Sequence, residues 1–131
     1  LGERHNRIVT TLAKERRVVA ARWGVRNLPS TDEWLDRFAG TMAGTMARPV
    51  PQPNQADDLI RCATMGSLVP LQSAAQLAEL PVPATSAMIE LAHQSIGGDL
   101  LHAGRRLDNM GFVNTDLDGI RTQLDAMTVA T

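Results

Sequence analysis

Between Ser67 and Phe112 the chain is divided into helical lengths by its own punctuation. Pro81 and Pro83 separate a first segment from a second, and Gly97-Gly98 separates the second from a third. A proline inside a helix removes a donor and crowds the preceding turn, and paired glycines favour left-handed turns, so neither pair belongs in a helix interior. Within each segment apolar residues recur three and four apart, the spacing of one helical face. The first has Leu71, Ala74, Ala75 and Ala78; the second Met88, Leu91, Ala92, Ser95 and Ile96; the third Leu100, Ala103, Leu107 and Met110. Pro83 stands where a first-turn proline is tolerated, Asp99 is placed to cap the third helix, and Gly111 to end it.

The flanks read the same way. Glu3 to Arg22 is a helix with Ile8, Leu12, Val19 and Trp23 on its apolar stripe, a Glu3–Arg7 pair on its wet side, and Gly24 as its stop. Ser30-Thr31-Asp32-Glu33 is a capping box, opening a second helix from Thr31 to Met46 with Trp34, Leu35, Phe38, Met42 and Met46 on one side and Gly40 and Gly44 interrupting it. From Arg48 to Asp58, alternate prolines at 49, 51 and 53 predict an extended surface crossing. Leu59 to Leu68 fits either a helical turn or an irregular packed loop. Thr115-Asp116-Leu117-Asp118 is a second capping box, ahead of a last helix carrying Leu117, Ile120, Leu124 and Met127. No stretch alternates with period two. The expectation is an all-α fold of about six helices, one domain over residues 1–131, with no internal repeat.

Composition limits the partners. A chain of 131 residues buries roughly two thirds of its unfolded surface, enough for a single core. Aromatic content is 3%, with no Tyr and six Met, so Ala, Leu, Val, Ile and Met must fill that core. A net charge of −1 offers no field for nucleic acid or anionic lipid. A single cysteine, Cys62, excludes an internal disulfide framework and fits a reducing, cytoplasmic setting. No apolar run approaches the ~20 residues of a membrane span, and the charged first residues show no signal-peptide pattern. Lys14 is the only lysine among the basic residues, a bias typical of GC-rich bacterial coding. The first residue is Leu1 rather than Met, which reads as a processed or shortened piece.

Chemistry is sparse. His5, His93 and His102 sit at no metal-ligand spacing from one another, from Cys62 or from a carboxylate, so no metal site is expected. Cys62 is expected to be a buried structural residue rather than a thiol activated by Arg61, and Arg16, Arg17 and Arg22 a solvated helix face rather than a basic strip. Arg105-Arg106 reads either as a surface pair or as a fork for a carboxylate or phosphate. There is no GxGxxG, Walker loop, CxxC or GxSxG, hence no cofactor site in this chain and no catalytic constellation.

Val69-Pro70-Leu71, Leu80 to Pro83, Met88 to Ala92, and Gly104-Arg105-Arg106-Leu107 to Met110-Gly111-Phe112, taken together, resemble the C-terminal helical domain of the octopine/nopaline (opine) dehydrogenase family. Lys14-Glu15-Arg16 to Ala20-Ala21-Arg22-Trp23-Gly24 is similar to that domain's opening helix, and Leu35 with its neighbours to its second helix. The resemblance implies a compact orthogonal bundle. It also implies a partner, an N-terminal Rossmann domain that binds NAD or NADP, over which the helical domain closes to hold an amino acid and a 2-oxo acid for reductive condensation. The family's catalytic His lies upstream of the stretch that matches Leu1. Just before Val69 the family shows Arg-Tyr-x-x-Glu-Asp, the Arg for a substrate carboxylate and the Asp to orient the His. Here Asp58, Leu59, Cys62 and Ala63 stand at those places. That leaves Arg61, displaced, and Arg105 as the substrate-binding candidates, and implies another substrate.

Two functions follow. In one, the chain is the substrate-binding and association domain of an NAD(P)-dependent oxidoreductase, inactive alone and exposing an apolar face to its partner domain. In the other, it is a self-contained helical interaction module, a homodimer without enzymatic activity.

Overall fold

A computed structural model describes residues 3–39, 52–112 and 116–129. All regular structure among them is helical, and no strand occurs: α1 (Glu3–Arg22), α2 (Thr31–Ala39), α3 (Pro53–Ala63), a π turn (Thr64–Leu68), α4 (Val69–Leu77), α5 (Pro83–Ile96), the single turn α6 (Leu100–Ala103) and α7 (Leu117–Val129). α3, the π turn and α4 follow without a break, and counting that rod once makes the expected six helices. No described helix is long and apolar enough to cross a membrane.

Local chemistry accounts for most boundaries. At α2 both arms of the capping box form: the Glu33 amide donates to Ser30 Oγ at 3.1 Å, and the Ser30 amide to the Glu33 carboxylate at 2.7 Å. Those bonds to Ser30 hold the Glu33 carboxyl below its ordinary pKa. Asp99 caps α6 through the His102 amide at 3.1 Å, and Asp116 caps α7 through the Gly119 amide at 2.8 Å. Gly24 ends α1 at φ +90°.

The rod is the element the local signals do not announce. Pro53 begins α3 at its first turn, so the third of the alternate prolines starts a helix instead of prolonging an extended crossing. Pro70 then falls inside the rod. An α-register there would drive its ring into the Gly66 carbonyl. The helix widens just before it, and the Val69 amide bonds five residues back to the Thr64 carbonyl. In that wider register the Met65 carbonyl faces a residue with no N–H to give, and it accepts instead from the Arg105 amide at 3.1 Å.

That bond fastens the chain after α6 onto the rod. Gly104 must be glycine here for want of space: a Cβ would lie 2.7 Å from Val69 Cγ1 and 2.9 Å from the Leu100 carbonyl. Farther along, the Leu107 amide donates to Ser73 Oγ at 2.9 Å. On the other side of the rod, Val19 of α1, Ala75 of α4 and Val82 form a buried cluster with Trp23, Leu71, Ala74 and Leu80 packed on it. Trp23 Nε1 donates to the Ala74 carbonyl at 3.1 Å, so the indole is satisfied within the core.

Several sequence expectations need correction. The buried face of α5 is Thr85, Ile89 and Ala92; Leu91 and Ser95, assigned to the stripe, are exposed. The third segment is helical only to Ala103, because the close approach at Gly104 turns the chain along the rod, and Met110 is exposed. Ile8 is exposed on α1, and Leu124 and Met127 are exposed on α7, where Leu117 and Ile120 alone are buried. The cap of α7 is Asp116; Thr115 lies outside the described residues, as do the continuation of α2 toward Met46 and the prolines 49 and 51. Cys62 is exposed, not buried, because α3 buries none of its residues.

Candidate functional site

A mainly apolar concavity lies between α1, α2 and the rod. On α1, Val9, Leu12, Ala13 and Arg16 share one face at the i, i+3, i+4, i+7 spacing. Trp34 and Thr31 of α2 form one wall, and Ser67, Leu68, Pro70 and Leu71 of the rod form the other. The cleft encloses about 670 Å³, within the range of small-molecule sites. Its lining is almost wholly apolar, and among the described residues Arg16 is the one ionisable side chain in it.

Thr85 reaches the cleft from α5 and is fully buried. Its position depends on Glu15. The cap position of α5 is Val82, whose side chain cannot accept a hydrogen bond. The Glu15 carboxylate on α1 does so from a distance in sequence, accepting the Ala84 amide at 2.7 Å, the Thr85 amide at 2.8 Å and the Thr85 hydroxyl at 2.7 Å. Partial burial, the largest single influence, raises the Glu15 pKa. The three bonds together outweigh it, and the carboxyl sits below its ordinary value of 4.5. An anion at the start of α5 also meets the positive end of the helix dipole. One floor of the cleft is thus fixed by a clamp between α1 and α5 that hydrophobic spacing does not reveal.

The sequence-derived candidates lie elsewhere, on either side of the π turn. Arg61 is half-buried at the end of α3, and its guanidinium packs against Gly98, where a Cβ would stand 3.4 Å from Nη1. Arg105 is exposed, with its backbone bound to Met65. Neither side chain has an ion-pair partner among the described residues, and neither lines the cleft. Arg106 is committed: Nε meets Asp108 Oδ1 at 2.9 Å, and Nη2 pairs with Oδ2 of the same carboxylate. That fork raises the Arg106 pKa and lowers that of Asp108. A second concavity of about 720 Å³, lined by Ser73, Phe112 and this pair, therefore already holds its cation's counter-charge.

The described histidines lie on the surface. His102 Nδ1 meets Asp99 Oδ2 at 2.6 Å, and His93 Nδ1 bonds the Gly98 carbonyl. The His102 amide, ahead of the other contributions, lowers the Asp99 pKa. His5 has no described side chain. No group of three or more His, Cys, Asp or Glu side chains able to hold a metal occurs among the described residues.

Arg16 is the residue that sequence reasoning passed over. Sequence spacing groups it with Arg17 and Arg22 as a solvated face, and it is indeed exposed while also lining the cleft. The signal that could have separated it is its register with Val9, Leu12 and Ala13, from which Arg22 is turned away. No protein-family model matches the chain, and no curated protein matches it in sequence.

Proposed function

We propose that the chain is the helical substrate-binding and association domain of an NAD(P)-dependent oxidoreductase of the opine dehydrogenase type, completing a cleft whose nucleotide-holding half is a separate Rossmann domain. One observation carries the reading. α3 is a helix of 11 residues that buries none of them, although it presents Leu59, Ile60, Cys62 and Ala63. Leu59 is 54% exposed. This is the same stretch in which the family resemblance sets the substrate motif. An apolar helix side left open at that place is what a domain-closing surface requires.

The π turn supports the same reading, because such turns recur at functional sites, and this one follows Arg61 and contains the Met65 carbonyl that anchors Arg105. On this reading the two arginines hold substrate carboxylates, and neither hydride transfer nor imine chemistry takes place on this chain alone.

The competing reading, a self-associating helical module without activity, draws on Leu124 and Met127, exposed three residues apart on α7. One experiment separates them. The complete reading frame that encodes Leu1–Thr131 is expressed, and NADH or NADPH consumption is followed with an amino acid and a 2-oxo acid, together and singly. Turnover only with both substrates is expected from the whole product, and none from residues 1–131. A reading frame without a dinucleotide-binding region, or a whole product that leaves both cofactors untouched, overturns the proposal. A stable dimer of residues 1–131 by light scattering then favours the module.

A further inference from the structure

The geometry points to a second ligand site, the cleft between α1, α2 and the rod, which takes a small monocarboxylic acid with an apolar body, the carboxylate at Arg16 and the body against Leu12, Trp34, Leu68 and Leu71. This inference does not depend on the parent enzyme.

The lining states the ligand's chemistry. A volume of about 670 Å³ is the size for a small organic molecule. The walls are aliphatic and indole surface, which favour an apolar body by the area they remove from water. Among the described residues no acidic side chain lines the cleft. The nearest in sequence, Glu15, has its carboxylate bound to Ala84 and Thr85. The Thr85 hydroxyl is spent on the same clamp. Arg16 stands at the end of the apolar face of α1 with no side-chain partner among the described residues. A trough with one unneutralised guanidinium at its end and apolar walls is complementary to a single negative charge on an apolar stem. A guanidinium binds a carboxylate through two parallel bonds, so it selects the acid over the corresponding amide. A dianion without a stem satisfies the charge and leaves the walls wet.

Trp34 supplies the readout, since it lines the cleft and is 49% exposed, while Trp23 is held in the core by its bond to Ala74. The folded chain is titrated with 3-phenylpropanoate, 3-phenylpropanamide and succinate, following tryptophan fluorescence and, for assignment, the amide resonances of Leu12, Arg16 and Leu68. The expected result is saturable binding of 3-phenylpropanoate with at least ~10-fold weaker binding of the amide and of succinate, a tenfold change corresponding to about 1.4 kcal/mol. In Arg16→Gln, an exposed-site change whose fold is checked by circular dichroism, acid and amide bind alike. A Trp34→Phe variant keeps the resonance shifts and loses the fluorescence change. Equal binding of acid and amide by the unaltered chain, acid selectivity that survives in Arg16→Gln, or no response to any of the three compounds overturns the inference. Because the titration uses no cofactor, its result is independent of whether the whole reading frame turns over NAD(P)H.

Discussion

The junction of α6 with the rod and the side of α3 that precedes it lie a few residues apart and are built in opposite ways. At the junction nothing is spare. Val69 and Leu100 are buried to within 1%, Gly104 has no room for a Cβ, and the carbonyl released by Pro70 finds the Arg105 amide. On α3 no residue is buried, and Leu59, Ile60 and Cys62 face outward. α7 repeats the contrast within one helix, with Ile120 1% exposed and Met127 62% exposed. Closed packing at one end of an element thus stands beside bare apolar surface at the other.

The comparison is broken most forcefully at Gly104. Gly104→Val puts branched carbon against Val69 and against backbone at Leu100, which side-chain motion cannot relieve. A loss of about 2–3 kcal/mol is expected, read from the urea midpoint. The Glu15 clamp comes next. Glu15→Gln keeps an acceptor but removes the charge from the start of α5, for an expected loss of about 1–2 kcal/mol at neutral pH. The same variant tests the sign of the pH dependence. The folded-state pKa of Glu15 lies below its ordinary 4.5, so its contribution is fully present above that value and disappears as pH falls through the folded pKa. Below that, Glu15→Gln and the unaltered chain converge, and an unchanged gap between them in acid removes the clamp from the account. The smallest effect belongs to the open surface. Leu124→Asp with Met127→Asp shifts the stability of the chain by no more than about 0.5 kcal/mol, because both side chains already face solvent. A larger loss measured by thermal unfolding means that α7 is covered, and closes the contrast.

The sequence carries the helical class plainly, and with it each boundary marked by local chemistry: Ser30 with Glu33, Pro83, Asp99 and Gly24 all act where their residue types say they should. What it conceals is long-range. Thr85 is polar and holds a core position on α5 only because Glu15, 70 positions earlier, satisfies it. A period counted from apolar residues alone therefore lands one step off, on Leu91 and Ser95. The break expected across residues 48–58 mistakes a helix-starting proline for a helix-stopping one at Pro53. Spacing alone carries the third segment to Met110, because nothing in it reveals that Gly104 lies against Val69. At the candidate site, Arg61 and Arg105 are visible as charges near a recognisable motif. The cleft at Arg16 needs four separate elements, α1, α2, the rod and α5, to be in place before it exists.

The widened turn ahead of Pro70 has a geometric corollary. In a helix of 3.6 residues per turn, one added residue rotates everything before it by about 100° about the axis relative to everything after it. Thr64–Leu68 therefore sets the azimuth of α3 against α4. Removing a single residue there would swing Leu59 and Cys62 by more than a quarter of a revolution about the axis and aim Arg61 in a new direction. One peptide unit in that turn governs the orientation of the whole outward-facing side.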